Sequence, residues 1–106
     1  MSKAYMLFQF NMSDPEKFGT YIQNAGPTVL ANGGKVLVAA ADAAVREGAH
    51  PVQRVTIIEF PSRAAAEVWY ASSEYVALKH LRHESTSAAS LVFLDGFEPA
   101  AVTGQG

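Results

Sequence analysis

The segment RVTIIEF, residues 54–60, is a β-forming run with apolar side chains on both faces of the strand: Val55 and Ile57 on one, Ile58 and Phe60 on the other. Two further runs repeat the pattern. In AYMLFQFN (4–11), Tyr5 and Leu7 oppose Met6, Phe8 and Phe10; in AASLVFLD (88–95), Leu91 and Phe93 oppose Val92 and Leu94. An antiparallel sheet with one face in water alternates apolar with polar residues. These strands therefore belong to a sheet covered on both sides, and what covers it limits the folds open to the chain.

The chain has few elements to offer. After the first strand, Asp14 caps a helix and Pro15 sits at its first position, where the missing N–H costs nothing. Phe18, Tyr21, Ile22, Ala25 and Val29 recur at helical spacing as the buried face. Pro27 inside the pattern predicts a kink near 23–27, and Gly33-Gly34 ends the helix. A second strand over 35–41 leads through a turn at 42–43 into a short returning segment, 45–47, and a loop over 48–51. Pro61-Ser62 breaks the 54–60 strand, and Ser62 caps a second helix over 63–71 with Ala65, Val68 and Trp69 on one face. Ser73 is expected to cap a continuation over 74–84 bearing Tyr75, Leu78, Leu81 and Arg82, before the last strand.

The order is β-α-β-β-α-β, the ferredoxin-like split unit. This is an α+β fold: a four-stranded antiparallel sheet with two helices on one face. Two helices cover one face only. The other calls for a second copy of the chain, so a homodimer through the helix-free sheet face is expected. Residues 1–97 form this single domain, and 98–106 are expected to be a flexible C-terminal tail.

Composition removes several function classes. The chain has 106 residues and no Cys, so disulfides, thiolate metal sites and cysteine nucleophiles are excluded, which suits a cytoplasmic protein. A net charge of −2 with scattered Lys and Arg gives no electrostatic footprint for nucleic acid. No run approaches the roughly 20 apolar residues of a membrane span, and MSKAYMLFQF reads as a strand rather than a signal peptide. There is no phosphate loop, dinucleotide fingerprint or nucleophile elbow, and no cofactor is expected.

The stretch DPEKFGTYIQNAGPTVLANGGKVLV, followed by RVTIIEFPSRAAAEVWYASSEYVALKHLR, resembles the small bacterial family known as domain of unknown function 1330. The resemblance covers residues 4 to about 96. Its most specific part is Arg54-x-x-x-Ile58-Glu59-Phe60-Pro61-Ser62, followed by Trp69-Tyr70-x-Ser72-x-x-Tyr75 and a later Leu81-Arg82. It implies a dimeric α+β barrel-type fold, related to small cofactor-independent monooxygenases, muconolactone isomerases and stress-responsive barrel proteins. The chain departs from the family pattern after the second strand: members often carry Arg-Gly, and here Ala39-Ala40-Ala41 stand instead.

The candidate site residues cluster around WYASSEY, residues 69–75. Trp69 belongs to the buried stripe of the second helix, as core or as a pocket wall. Tyr70 points about 100° away from it around the helix, and the Ser72-Ser73 break re-aims Tyr75. Three aromatics at a helix break form either an aromatic core or the wall of a cleft. Arg54 and Arg82 are solvated or helix-end charges, or else clamps for a carboxylate, which the planar guanidinium suits. Because Tyr75 and Arg82 are two turns apart on one stripe, a ligand site is expected between the second helix and the sheet, with Trp69, Tyr70 and Arg54 as further substrate contacts.

Two residues are candidates for moving a proton. Glu59 is a carboxylate on the otherwise apolar face of Val55 and Ile57: an acid or base of raised pKa, or the partner of an Arg. His80 is a candidate because histidine is a common general acid or base, while HLRHE (80–84) lacks the distant third ligand of a metal centre, so no metal is expected. Two readings follow. One is a cofactor-independent enzyme, monooxygenase- or isomerase-like, on a small apolar anionic or carbonyl metabolite. The other is a non-catalytic dimer that binds a small ligand or a partner.

Overall fold

The computed structural model describes residues 2–50 and 52–98. It contains β1 (Ala4–Met12), α1 (Pro15–Ala31), β2 (Lys35–Ala40), β3 (Arg54–Phe60), α2 (Arg63–Ala71), α3 (Ser73–Val76), α4 (Lys79–Ser85) and β4 (Thr86–Asp95). The strands form one four-stranded antiparallel sheet in the order β2-β3-β1-β4. The two chemically richest strands, β1 and β3, thus lie inside, and β2 and β4 form the edges.

The register sorts the side chains onto two faces. Met6 stands opposite Ile58 and Phe93, and Phe8 opposite Thr56 and Leu91. This face is covered by the helices, and Met6, Phe8, Phe10, Ile58 and Phe60 are buried on it. On the other face, Leu7 stands opposite Ile57 and Val92, and Val38 continues the row across Ile57. Both apolar rows read from the sequence are present, and no described element covers the second: Val92 is 43% and Leu94 48% exposed.

Local signals explain most boundaries. The Asp14 side chain accepts from the Lys17 N–H at 3.0 Å and caps α1, as expected. At its other end, Gly34 N–H reaches Val29 O at 2.8 Å and Gly33 N–H reaches Leu30 O at 3.1 Å, with Gly33 at φ +81°. That is the Schellman pairing. A Cβ on Gly34 would lie 2.5 Å from Val29 Cγ1 and 2.9 Å from Phe60 Cε1, so glycine lets the chain enter β2 directly over the core. Helix α1 runs through Pro27 as one element, and the proline omits the bond to the Gln23 carbonyl.

Several expectations need correcting. The returning segment over 45–47 adds no strand to the sheet: the free edge of β2 stays unpaired, and Val45 is exposed. The helical continuation over 74–84 is two elements, α3 and α4, and the residue that caps α3 is Ser72 rather than Ser73. Ser72 Oγ accepts from Tyr75 N–H at 3.2 Å, whereas Ser73 Oγ turns to the adjacent Glu74. Val68 is not on the buried face of α2; Ala66, three residues before Trp69, is. Ile22 is likewise half-exposed rather than core. Strand β4 begins at Thr86, and the break in register between Gln9 and Asn11 coincides with Ala88 at φ 51°. The expected flexible tail begins at 98, and its residues 99–106 lie outside the described residues. Among the described residues, no helix is long and apolar enough to cross a membrane.

Candidate ligand-binding site

A cavity of about 170 Å³ lies between α1 and the helix-covered face of the sheet. Its floor is Met6 and Phe8 of β1, Thr56 and Ile58 of β3, and Val36 and Ala39 of β2; Phe18, Tyr21, Ala25 and Val29 of α1 form the roof. Trp69 of α2 closes one side, and the half-exposed Ile22 and Val36 stand at the rim. The lining is apolar except for the Tyr21 and Thr56 hydroxyls and the Trp69 indole N–H. The last of these is already taken, donating to Thr28 Oγ1 at 3.0 Å.

The cavity is not where the sequence placed a site. It lies under the first helix rather than the second, because the second helical segment is packed shut. Trp69 is 1% and Tyr75 0% exposed, with ring centroids 4.2 Å apart, and the Phe60 ring lies tilted against Trp69 at 5.4 Å. The stretch that looked like a pocket wall is therefore core, although one edge of Trp69 still faces the cavity. The Ser72 turn makes this possible. With φ −63° and ψ 145° it interrupts the helix, and Tyr75 is redirected inward to meet α1.

There the Tyr75 hydroxyl pairs with that of Tyr21 at 2.8 Å. Burial pushes the Tyr21 hydroxyl well above the ordinary tyrosine range, with Tyr75 adding to the effect and the nearby positive charge of Arg82 opposing it. It stays protonated, and so remains a donor. Arg82 is only 4% exposed. Its guanidinium carbon lies 5.1 Å from the centre of the Phe8 ring, and one nitrogen is 3.3 Å from His83 Nε2. It is neither a solvated charge nor a cap of its helix end.

The remaining candidates disperse. Tyr70 is half-buried, edge-on to Phe93, with the Lys79 ammonium 3.8 Å from its ring centre. Arg54 shares the helix-covered face with Phe10, its cross-strand neighbour, at the end of β3 away from Trp69 and Phe60. Glu59 sits on the helix-free face, where it accepts from Tyr5 at 3.1 Å and pairs with Lys3 at 3.4 Å rather than with an Arg. Donating to Glu59 raises the Tyr5 hydroxyl above its usual pKa. His80 is exposed on α4. The sheet thus separates Glu59 from the helices that carry His80 and Arg82, and the two proton-transfer candidates do not converge. Among the described residues, no three His, Cys, Asp or Glu side chains gather as a metal site requires.

Sequence reading did not name Tyr21 or Thr56 as candidate site residues, although both line this cavity. Tyr21 did leave a signal, since a tyrosine on the buried stripe of a helix needs a partner for its hydroxyl.

The fold has solved counterparts. A protein of unknown function from Rhodopseudomonas palustris superimposes with a TM-score of 0.78 at 21% identity, covering 92% of this chain and 85% of that one. SnoaB, a cofactor-independent oxygenase from Streptomyces nogalater, matches with a TM-score of 0.66 at 10% identity, over 92% and 96% of the two chains. A dimeric ferredoxin-like protein of unknown function from Thermobifida fusca matches at 0.64 and 10%, over 90% and 92%. At these identities the likeness shows the ferredoxin-like fold and nothing finer. No curated protein matches the chain. The model of the family described as Domain of unknown function (DUF1330) matches residues 3–97, and with nearly the whole chain inside that match, the chain belongs to this family.

Proposed function

We propose that this protein binds one small, mostly apolar molecule in the cavity under α1, and that it does so as a homodimer joined through the helix-free sheet face. The observation that carries the first part is the cavity itself. At about 170 Å³ it is smaller than the roughly 300–1,000 Å³ of drug-sized sites, and close to the ~150 Å³ apolar cavity that takes up benzene. Its occupant is therefore a single ring or a short branched chain.

Binding is favoured over chemistry by what the lining lacks. General acid–base catalysis needs a proton acceptor within hydrogen-bond reach of the substrate. The cavity walls present no carboxylate or imidazole, and both Glu59 and His80 lie outside them. An oxygenase- or isomerase-like enzyme of the kind the fold family suggests is the second reading. It would require the substrate to supply its own base. A chain without Cys is compatible with a reducing compartment, and a cytoplasmic location is part of this proposal.

The dimer is supported by the row Val38–Ile57–Leu7–Val92, an apolar face that no described element covers. Light scattering at micromolar concentration should report a dimer, and Ile57→Lys should dissociate it. A wild-type monomer would overturn that part. For the ligand, amide NMR spectra titrated with toluene should shift at Ile22, Ala25 and Val36. Gly26→Leu should abolish the response, since a Cβ there meets nothing within 4 Å and the new side chain can enter the space. An unchanged wild-type spectrum would remove the binding reading.

A further inference from the structure

We propose that the cavity's natural ligand carries an anionic head, a carboxylate or a group of similar shape, held by Arg82 and the Tyr21–Tyr75 hydroxyl pair. This rests on the binding reading above and adds the chemical class of the ligand.

The first support is an unbalanced charge. A guanidinium is charged at any working pH, and Arg82 is buried. Its Nε has no hydrogen-bond partner, and among the described residues no carboxylate lies within ion-pair distance of it. The Phe8 ring face and the His83 ring nitrogen are its neighbours, and neither neutralises it. A buried cation without a counter-ion is among the costliest groups a core can hold.

The second support is a donor count. Two tyrosine hydroxyls bring two O–H groups to one mutual bond, so one hydrogen is left with no acceptor among the described residues. Together with the Arg82 Nε–H, that makes two unused donors and no unused anion. A carboxylate accepts from both at once.

The third support is position. Phe8 and Tyr21, the two residues that Arg82 faces or acts on, are also walls of the cavity. Arg82 and Tyr75 do not themselves line the cavity; they stand behind Phe8 and Tyr21, so the head group of a ring bound there would reach them by passing between these two side chains.

The test uses the full chain and three probes built on one phenyl ring: toluene, benzamide and benzoate. Toluene reports the cavity alone, and benzamide is the neutral isostere of benzoate. Benzoate should bind about tenfold or more tightly than benzamide, as charge-assisted hydrogen bonds require. It should also shift the Arg82 Nε–H resonance in NMR spectra, and benzamide should not. Arg82→Gln should bring the two affinities together, and Tyr75→Phe should narrow the gap. If toluene binds and benzoate gains nothing over benzamide, Arg82 is a core cation held by Phe8, and the inference fails while the cavity reading stands. If none of the three binds, both fail. Should Arg82→Gln not fold, the benzoate-to-benzamide ratio and the resonance shift in the wild type decide the matter alone.

Discussion

The hydroxyls of Tyr21 and Tyr75 meet at 2.8 Å in the core, joining the first helix to the short turn that follows the second across 54 positions of chain. Each is the other's polar partner, and both rings are nearly out of contact with water. Replacing either with Phe leaves one buried hydroxyl unpaired, at a cost of about 1–3 kcal/mol. The double replacement removes both and should cost less than the sum of the singles. A double-mutant cycle by urea denaturation measures this, and strict additivity would mean that the two hydroxyls do not depend on each other.

Trp69 holds the second helix to the sheet and to α1. Trp69→Ala should cost about 3–5 kcal/mol, enough to unfold much of a domain this small. Thr28→Val, which removes the acceptor of the indole N–H together with the hydroxyl's own bond to Ala25 O at 2.6 Å, should cost about 1–3 kcal/mol. Thermal and denaturant melts of both variants check the ranking. A stable, folded Trp69→Ala protein would mean that the cavity side of the indole outweighs its core side.

The break in WYASSEY assigns unequal roles to adjacent serines. Ser72→Ala should lose about 1 kcal/mol through the missing cap at Tyr75 N–H. Ser73→Ala should change stability by less than half of that, because its hydroxyl contacts only the exposed Glu74 side chain. Equal losses in chemical denaturation would show that the helix break is not held by Ser72.

The Lys17–Glu84 ion pair, at 2.8 Å, ties α1 to α4 on the surface. Its hydrogen bond lowers the Glu84 pKa and raises that of Lys17. The carboxylate's contribution is present above its unfolded pKa and fades as pH falls through the lower folded value. The lysine's is present below its unfolded pKa and fades as pH rises through the higher folded value. The Tm difference between wild type and Glu84→Gln should therefore be small and level over about pH 6–9 and shrink in acid. A difference that grows below about pH 4 would contradict the pairing.

The strands and the two-faced sheet were legible in the sequence because they rest on period-two alternation and β-branched content, which depend on neighbours along the chain. The Asp14 cap, the Gly33-Gly34 stop and the Ser62 cap were legible for the same reason, each satisfying a backbone group within a few residues. The choice of Ser72 over Ser73 was not. Both can cap a helix by local rules, and the register is set by where Tyr75 finds Tyr21, a partner on another element.

The site followed the same division. Sequence spacing could place Tyr75 and Arg82 on one stripe, but it could not say that the stripe turns inward and is sealed by Trp69. Nor could it place the gap under α1, where the small side chains of Ala25, Gly26 and Ala39 leave room between helix and sheet. A cavity is volume that several distant segments fail to fill, and no one segment's pattern carries that shortfall. The unpaired state of Arg82 is of the same kind. The sequence determined that an arginine stands at this position, and only the packing of α1, α4 and β1 decided that it lies buried over Phe8 with no carboxylate to meet it among the described residues.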